Sequence, residues 1–569
     1  MLRLVFAVAL LVVIPEGNLL FALVVVCFLS PSHKLSSDDS KEPGRKIIYE
    51  MTTPFAPFQN EPFLDFTLPE VKQQMQTGLA FVASQLGQTY PLVIAGQTID
   101  ATSEVVSTNP ADPSQVIGRH AEALAAHAGQ AVEAAQTAFK EWSHTPSSER
   151  IALLRRAAQL IRDRHFEFCA WLSFEVGKNW GEADADVGET IDFLEFYALE
   201  AEKLTASTTP IQYPGESNKL RYIPLGVGAV IPPWNFPLAI MAGMTAAAIV
   251  TGNTVVLKPS PDAPTIAARF LALMHEAGLP QGVVTLCIGG PEFGSALVEH
   301  PKVRFIAFTG SKKVGLHIHE RAARTMPGQP FIKRTILELG GKDAILVDAS
   351  ADLDSAVEGV AVSAFGFSGQ KCSACSRAIV DASIYDEFLT RLTARVKTIQ
   401  SGPPTENFYG GTVINQAAHT RVLSYIDIAR AEGRILTGGR AIDTPEQGLY
   451  IAPTVVADIA PDSRLAQEEI FGPVLAVIKS SSFDEALAIV NNTEYGLTGA
   501  IYSQTPEHLE RARHEFHVGN LYLNRKCTGA MVGAHPFGGF NMSGTDSKAG
   551  GPDYLLLFTQ AKSVAEKLA

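Results

Sequence analysis

Cysteine is scarce in this sequence: there are six in 569 residues, and most of them lie far apart. This distribution excludes the disulfide framework of a small secreted protein. Cys372 and Cys375 form a C-x-x-C pair, so a metal or redox motif has to be considered. A structural zinc site would need two further Cys or His ligands at short spacing, and no second pair occurs. We therefore predict no metal site and expect free thiols in a reducing compartment.

Positive charge is also in short supply. The 46 Lys and Arg residues are outnumbered by 59 Asp and Glu residues, which gives a net charge of −13. General nucleic-acid binding requires a basic surface, so we predict no nucleic-acid partner. Hydrophobic residues make up 46% of the chain, as in ordinary globular proteins. The length exceeds what one hydrophobic core supports, and two or more domains are expected.

The sequence lacks an uninterrupted apolar run that could cross a bilayer. Residues 1–14 are apolar apart from Arg3, residues 15–18 (PEGN) interrupt them, and residues 19–29 are apolar again. Each part is shorter than the roughly 20 residues that a spanning helix needs. Two interpretations of residues 1–50 stay open: a mis-assigned start or disordered leader, and a membrane anchor or export signal within residues 1–29. We favour the first and expect a cytoplasmic protein.

Hydrophobic patterning predicts an α/β protein with a doubly wound parallel sheet. Helical spacing occurs in residues 119–142 and 147–172, the second with a plausible cap at residues 147–149. A second α/β unit is predicted to begin at residues 344–347, and residues 204–222 are predicted to form a protruding β-hairpin. Apolar runs typical of buried strands, and one apolar helix between them, fall at 225–231, 242–250 (the helix), 254–259, 283–287 and 305–309.

Two polar features follow these predicted strands, where ligands of such sheets bind. Lys258 ends one strand and can bond ribose hydroxyls or phosphate oxygens, although a plain surface lysine is the alternative. Residues 309–315 (TGSKKVG) follow another strand and open a helix, a position where backbone N–H groups can hold phosphate. An ordinary strand-to-helix turn explains that segment equally well.

Cys372 stands in residues 369–377 (GQKCSACSR), a polar, glycine-containing segment that predicts a loop. A loop thiol can serve as a nucleophile, and Lys371 is expected to favour its thiolate form. Cys375 is the competing nucleophile, and a buried structural thiol is the remaining alternative. Glu338 lies in an apolar stretch, as either a general base with a tuned pKa or a salt-bridged structural carboxylate. Asn235 is either an oxyanion donor or a turn residue.

Taken together, six motifs in residues 90–560 resemble the aldehyde dehydrogenase superfamily. They are PWNFP (233–237), KPS (258–260), FTGS (308–311), ELGGK (338–342), GQKC (369–372) and EEIFGP (468–473). The resemblance implies the aldehyde dehydrogenase fold, which comprises a Rossmann-like NAD-binding domain, an α/β catalytic domain and a β-hairpin flap that joins subunits. The implied bounds are 51–203 and 223–336 for the first, 337–540 for the second, and 204–222 with 541–569 for the flap.

The resemblance also implies the roles of individual residues. Cys372 would attack the aldehyde carbon, Asn235 and the Cys372 amide would stabilise the oxyanion, and Glu338 would activate the water that hydrolyses the thioester. NAD is the implied cofactor. Many relatives have an acidic residue after KPS, and Pro261 in its place leaves NADP open. The implied cofactor-binding residues are Pro233, Trp234, Lys258, Ser260, Gly310, Ser311, Glu469 and Phe471.

Within that superfamily the C-terminal third resembles the 1-pyrroline-5-carboxylate dehydrogenases, through residues 369–377, 528–533 (TGAMVG), 536–545 and 548–552. The implied substrate is L-glutamate γ-semialdehyde, with proline catabolism as the pathway. Another acidic semialdehyde, such as succinate semialdehyde, is the alternative. The implied partners are further copies of the chain in a homo-oligomer and, transiently, a proline dehydrogenase. The implied substrate contacts are Ser373, Gly529 and Ala530 to the α-carboxylate, and Phe236 and Phe537 around the aliphatic stem.

Overall fold

The structure is a computed structural model that describes residues 57–206 and 210–568. Both interpretations of residues 1–50 lie outside these stretches. Within them, no helix combines the length and the apolar character needed to span a membrane.

The described residues contain fifteen α-helices, and helices alternate with strands from Val227 onward through most of two large sheets. They are α1 (Pro69–Ala83), α2 (Ala128–Trp142), α3 (Ser147–Asp163), α4 (His165–Val176), α5 (Trp180–Thr205), α6 (Ala239–Val250), α7 (Pro264–Glu276), α8 (Pro291–Glu299), α9 (Lys312–Ala323), α10 (Leu353–Phe365), α11 (Tyr385–Lys397), α12 (Gln416–Glu432), α13 (Arg464–Gln467), α14 (Phe483–Asn491) and α15 (Pro506–Glu515).

The strands form two larger sheets and several small ones. They are β1 (Gln88–Tyr90), β2 (Leu92–Ile94), β3 (Gln97–Ile99), β4 (Glu104–Asn109), β5 (Asp112–Ala121), β6 (Glu216–Pro224), β7 (Val227–Ile231), β8 (Thr254–Leu257), β9 (Val284–Leu286), β10 (Val303–Thr309), β11 (Arg334–Glu338), β12 (Ala344–Val347), β13 (Arg377–Asp381), β14 (Arg434–Thr437), β15 (Ala441–Ile442), β16 (Tyr450–Ile451), β17 (Thr454–Ala457), β18 (Val474–Ser480), β19 (Tyr495–Gly496), β20 (Thr498–Tyr502), β21 (Asn520–Leu523), β22 (Phe540–Asn541) and β23 (Thr559–Lys567).

A five-stranded parallel sheet in the order β11-β10-β7-β8-β9 confirms the four strands predicted between residues 225 and 309. Every residue of β7 and β8 is buried, as expected for strands covered on both faces. From the central strand β7, the chain adds β8 and β9 on one side of the sheet. It then crosses to the other side of β7, where it forms β10 and β11. The strand order thus reverses between β7 and β10, which is where ligands of doubly wound sheets bind.

A seven-stranded sheet in the order β14-β17-β18-β13-β12-β20-β21 forms the second α/β unit, and it begins at residues 344–347 as predicted. Its strands are parallel except for β14. β11 ends at Glu338 and β12 begins at Ala344, so only residues 339–343 connect the two sheets. This short connection places the carboxyl end of one sheet beside the amino end of the other.

The hairpin predicted at residues 204–222 differs from the structure. This region contributes one strand to a two-stranded ribbon, and the second strand is distant in sequence. α5 continues to Thr205, and β6 pairs antiparallel with the C-terminal strand β23 from Pro224↔Thr559 to Glu216↔Lys567. The sequence pattern identifies the first strand but not its partner, because no local turn connects the two.

Two helix predictions were wrong at their boundaries. Residues 119–121 belong to β5, because this strand pairs with both β1 and β4 and buries His120 against Tyr90 (ring centroids 4.5 Å apart). The helix predicted over 147–172 breaks at Arg164, whose backbone is not helical (φ −116°, ψ 24°). The cap predicted at residues 147–149 was also wrong: Pro146 occupies the N-cap position, and no side chain caps the helix.

Candidate active site

Glu338 is held rigidly at the end of β11 by the five-stranded sheet. It pairs with Thr309 of β10, and its carbonyl accepts a hydrogen bond from the Gly310 amide (3.0 Å). The side chain is buried, and its Oε1 accepts a hydrogen bond from the Ser547 hydroxyl, whereas Oε2 has no partner among the described residues. Burial raises the pKa of Glu338 to about 8, against the opposing effect of Ser547. No described cation forms a salt bridge with it, which favours the tuned general base.

Cys372 lies in a loop between α10 and β13, as predicted. The buried Gln370 side chain fixes this loop by two hydrogen bonds. Its Oε1 accepts from the Ile414 amide (2.9 Å), and its Nε2 donates to the Thr412 carbonyl (3.0 Å). The Gln370 carbonyl accepts from the Asn235 side-chain amide (3.0 Å). Asn235 is therefore fixed beside the Cys372 loop. The second N–H of its side chain and the backbone N–H of Cys372 have no acceptor among the described residues.

The prediction that Lys371 favours the Cys372 thiolate was wrong. The Lys371 ammonium forms an ion pair with Glu182 at 2.7 Å. Burial and the nearby carboxylates of Asp343, Glu338 and Glu469 raise the pKa of Cys372 well above its usual value. The side chain at this position is therefore a thiol, and its attack on a carbonyl requires a base.

Cys375 is a poor competitor for the nucleophile role. It is buried, it does not line the cavity described below, and its thiol donates to the Arg377 carbonyl (3.4 Å). Neither Cys375 nor Cys372 belongs to the one group of three metal-ligand side chains found in residues 57–206 and 210–568. That group consists of His165, Cys169 and Asp184, with ligand atoms within 4.8 Å of one another.

One cavity of about 770 Å³ brings most of the predicted catalytic and substrate residues together. The rings of Phe236 and Phe537 provide apolar surface for a hydrocarbon stem. The backbone amides of Gly529 and Ala530 have no acceptor within the described part of the chain, so they can receive an anion. The predicted residues that line the cavity are Cys372, Glu338, Ser373, Phe236, Phe537, Gly529 and Ala530. Asn235 is not among the lining residues.

Lys258 follows β8 at the carboxyl edge of the five-stranded sheet. Only 8% of it is exposed, which excludes the surface-lysine alternative. Its Nζ has no hydrogen-bond acceptor among the described residues, and burial lowers its pKa to about 8. A buried cation without a partner is costly, so the position fits a ligand with anionic or hydroxyl oxygens.

The remaining predicted cofactor residues surround the same edge. Ser311 caps α9 by accepting a bond from the Val314 amide, and its hydroxyl proton remains available to a ligand. The Trp234 and Phe471 rings meet edge to face at 5.5 Å. Glu469 accepts a bond from the Gly341 amide (3.0 Å). Pro233 precedes Trp234 at the end of β7, Gly310 ties the turn to β11, and the Ser260 hydroxyl donates to Asp262 (3.3 Å).

Sequence reasoning missed three residues that shape the site. Gln370 anchors the nucleophile loop, Ser547 holds Glu338, and Glu182 neutralises Lys371 and lines the cavity. Gln370 and Ser547 stand inside or beside the quoted motifs, so their position was the available signal. Glu182 lies on α5, in no motif, and only the fold brings it to the site.

Comparison with known proteins places the chain among enzymes. The model of the aldehyde dehydrogenase family matches residues 98–564. A 1-pyrroline-5-carboxylate dehydrogenase of Geobacillus thermodenitrificans is 53% identical over 512 residues, which are 90% of this chain and 99% of that protein.

Solved structures agree in fold and in extent. A 1-pyrroline-5-carboxylate dehydrogenase from Thermus with bound NAD is 50% identical and superposes with a TM-score of 0.89, covering 91% of this chain and 100% of that one. Proline utilization A from Bdellovibrio bacteriovorus is 44% identical with a TM-score of 0.88, and the match covers 90% of this chain and 53% of that larger one. The chain belongs to the aldehyde dehydrogenase family.

Proposed function

We propose that this protein oxidises L-glutamate γ-semialdehyde to L-glutamate, with NAD as the cofactor. The observation that carries the proposal is one cavity lined by the Cys372 thiol, the Glu338 carboxyl, and Gly529 and Ala530, whose amides have no acceptor among the described residues. An aldehyde with a carboxylate tail requires a nucleophile, a base and an anion site. These groups meet that requirement in one place.

The residues at the carboxyl edge of the five-stranded sheet fit a dinucleotide. The unpaired Lys258 ammonium would hold the adenosine ribose, Ser311 at the N-terminus of α9 would hold phosphate, and Glu469 would hold the second ribose. Bound NAD supplies the oxidant, because its nicotinamide accepts the hydride that leaves the substrate carbon. The Thermus relative with bound NAD supports this choice. Pro261 leaves NADP to be tested.

The first step is attack of the Cys372 sulfur on the aldehyde carbon, which forms a thiohemiacetal. Because the thiol pKa is raised, its proton has to leave as the sulfur attacks, and solvent water accepts it. The new oxyanion receives hydrogen bonds from the free N–H groups of Asn235 and of the Cys372 backbone. Loss of hydride from the same carbon leaves a thioester on Cys372. Glu338 then deprotonates a water molecule that hydrolyses it, releasing the acid and the thiol.

Charges in the cavity suit a zwitterionic tail. The Gly529 and Ala530 amides and the Ser373 hydroxyl would bind the α-carboxylate. Glu182 supplies negative charge for the α-ammonium: burial raises its pKa, but Lys371 outweighs this and keeps the pKa below its usual value. Phe236 and Phe537, which also line the cavity, would pack against the aliphatic stem between the two ends.

The same proposal includes the assembly and the cellular setting. The β6–β23 ribbon exposes Val564 and Leu568, which supports its use as a flap that joins subunits of a homo-oligomer. We also propose an NAD-binding domain of residues 51–203 and 223–336 and a catalytic domain of residues 337–540; the presence of two large sheets supports two domains. We further propose a cytoplasmic role in proline degradation, with transient contact to a proline dehydrogenase; the similarity to 1-pyrroline-5-carboxylate dehydrogenases and to proline utilization A supports the pathway.

A substrate panel tests the proposal. NADH formation is measured with glutamate semialdehyde, succinate semialdehyde and a simple aliphatic aldehyde, each with NAD and with NADP. We expect the highest kcat/KM for glutamate semialdehyde with NAD. A preference of more than tenfold for succinate semialdehyde would instead establish the alternative substrate, since that compound lacks the ammonium that Glu182 is proposed to receive.

A further inference from the structure

Residues 57–68, called here the N-terminal arm, precede α1 and lie across the wall of the catalytic cavity. Four arm residues line that cavity: Glu61, Phe63, Leu64 and Phe66. Carboxylates of α5 hold the arm by its backbone. Asp192 accepts the Glu61 amide (2.7 Å), and Asp184 accepts the Leu64 amide (2.9 Å).

Asn60 connects this arm to the far side of the cavity. Its side-chain amide donates one hydrogen bond to Asp192 Oδ2 (2.8 Å) and another to the Val532 carbonyl (2.9 Å). Val532 belongs to residues 528–533, called here the anchor loop, which contain the two unpaired amides of the proposed carboxylate site. The arm and the anchor loop are separated by most of the sequence, so this contact exists only in the folded protein.

The anchor loop is held by contacts at both of its ends and in its middle. It turns through left-handed backbone at Gly529 (φ 76°) and Gly533 (φ 78°). Arg525 donates to the carbonyls of residues 528 and 529 at one end, and the Gly533 amide donates to the Gly550 carbonyl at the other. Between these ends, the Met531 amide donates to His535 Nδ1 (3.1 Å), its carbonyl accepts from the amides of residues 534 and 535 (3.1 and 2.8 Å), and the Val532 carbonyl accepts from Asn60. The bond from Asn60 joins the loop to the N-terminal arm, two residues after the Ala530 amide.

We propose that Asn60 is a positioning residue for substrate recognition. Through the Asp192–Asn60–Val532 clasp it fixes the anchor loop, so that the Gly529 and Ala530 amides point together at the substrate carboxylate. Asn60 does not line the cavity and has no role in the chemical step. The substrate part of this inference rests on the proposed function.

The kinetic test is the Asn60→Ala variant. The variant loses both Asn60 bonds, and loss of the one to the Val532 carbonyl corresponds to about a tenfold change, so KM for glutamate semialdehyde is expected to rise about tenfold. We expect kcat to change less than about twofold, and the kinetics of propionaldehyde, which has no carboxylate, to stay unchanged. Thr67→Ala is the matched control, because Thr67 lies on the same arm and bonds only to Asp65. An equal change for both aldehydes, or no change for either, would overturn the inference.

A double variant separates positioning from simple attachment of the arm. In Asn60→Asp with Asp192→Asn, the donor and acceptor between the arm and α5 are exchanged, so that contact is kept. The aspartate at position 60 cannot donate to the Val532 carbonyl. We expect the KM defect to persist in this variant. Recovery of wild-type KM would show that Asn60 serves only to attach the arm.

Hydrogen exchange tests the clasp without any substrate. Peptides that cover residues 528–533 are expected to exchange about tenfold faster in Asn60→Ala than in the wild type or in Thr67→Ala. Equal exchange in all three proteins would refute the clasp. If the wild-type protein fails to oxidise glutamate semialdehyde, the proposed function fails, and the exchange experiment still decides whether Asn60 orders the loop.

Discussion

The two large sheets of this protein present opposite edges to the candidate site. In the five-stranded sheet, Trp234, Lys258 and Ser311 follow β7, β8 and β10, so they stand at the carboxyl edge. In the seven-stranded sheet, Cys372 precedes β13 and Phe471 precedes β18, so they stand at the amino edge. Ligands generally bind at the carboxyl ends of parallel strands. This rule predicts the position of Trp234, Lys258 and Ser311, but it does not predict the position of the nucleophile.

The connection between the sheets explains this difference. Only residues 339–343 link the end of β11 to the start of β12. Such a short link keeps the two strand ends close, and the carboxyl edge of the first sheet then faces the amino edge of the second. The comparison assigns the cofactor residues Trp234, Lys258 and Ser311 to one edge and the nucleophile to the other, with Glu338 at the end of β11 between them. Each prediction below tests that division.

The largest effect is expected from Cys372→Ala at the amino edge. Removing the nucleophile should lower NADH formation by at least about 10⁴-fold, because no covalent intermediate can form. The dissociation constant for NAD, measured by calorimetry, should change less than about twofold, because Cys372 is not assigned to cofactor binding. Cys375→Ala is the control and should retain most of the activity. If Cys375→Ala loses activity and Cys372→Ala keeps it, the nucleophile is Cys375 instead.

Glu338→Gln tests the residue between the two edges. We expect the steady rate to fall about 10²- to 10⁴-fold, because no base activates the water. The thioester should accumulate and be detectable on Cys372 by mass spectrometry after a single exposure to substrate and NAD. Steady turnover equal to the wild type would remove Glu338 from the reaction.

The pH profile sharpens the assignment of Glu338. A carboxyl group acts as a base only when it is deprotonated, and the pKa of Glu338 is raised to about 8. The rate should therefore fall as the pH drops through 8 and level off above it. In Glu338→Gln this fall of the rate below pH 8 should disappear. If the variant shows the same pH dependence, another group causes the fall.

Asn235→Ala is expected to reduce kcat by about 10²- to 10³-fold, the usual result of removing one oxyanion donor. Asn235 follows β7 at the carboxyl edge, yet it contacts the loop of the opposite edge through Gln370. Its variant should therefore impair the chemical step and leave KM for NAD nearly unchanged. A rise in KM for NAD with normal kcat would place Asn235 with the cofactor groups instead.

The smallest effect is expected from Lys258→Met. Loss of a charge-assisted hydrogen bond should raise KM for NAD about tenfold while kcat changes little. Lys258→Arg keeps the charge and should recover part of the affinity. A large loss of kcat in Lys258→Met would contradict the assignment of Lys258 to cofactor binding alone.

Local patterns in the sequence predicted the parts of the fold that depend on neighbouring residues. The apolar runs of β7, β8, β9 and β10 each form a buried strand, and the motif around Cys372 forms a loop. These features are set by hydrophobic burial and backbone preference within a few residues. Helix boundaries failed at His120 and Arg164, where tertiary pairing and a local break in the backbone override the periodic pattern.

The parts of the site that could not be predicted depend on contacts between distant segments. The electrostatics around Cys372 differ from the expectation because Lys371 pairs with Glu182 of α5, far away in sequence. The Asn60 clasp is a similar case, since its partners lie on α5 and in the anchor loop. A motif shows which groups are present, but only the fold shows which of them neutralise each other.

The pairing of β6 with β23 has a consequence for synthesis of the chain. More than half of the polypeptide separates the two strands, so β6 is synthesised long before β23. At about 5–20 residues per second, β6 waits on the order of tens of seconds for its partner. During that interval an unpaired strand edge is open to neighbouring nascent chains. Chaperones that occupy this edge on the ribosome would therefore raise the yield of correctly folded protein.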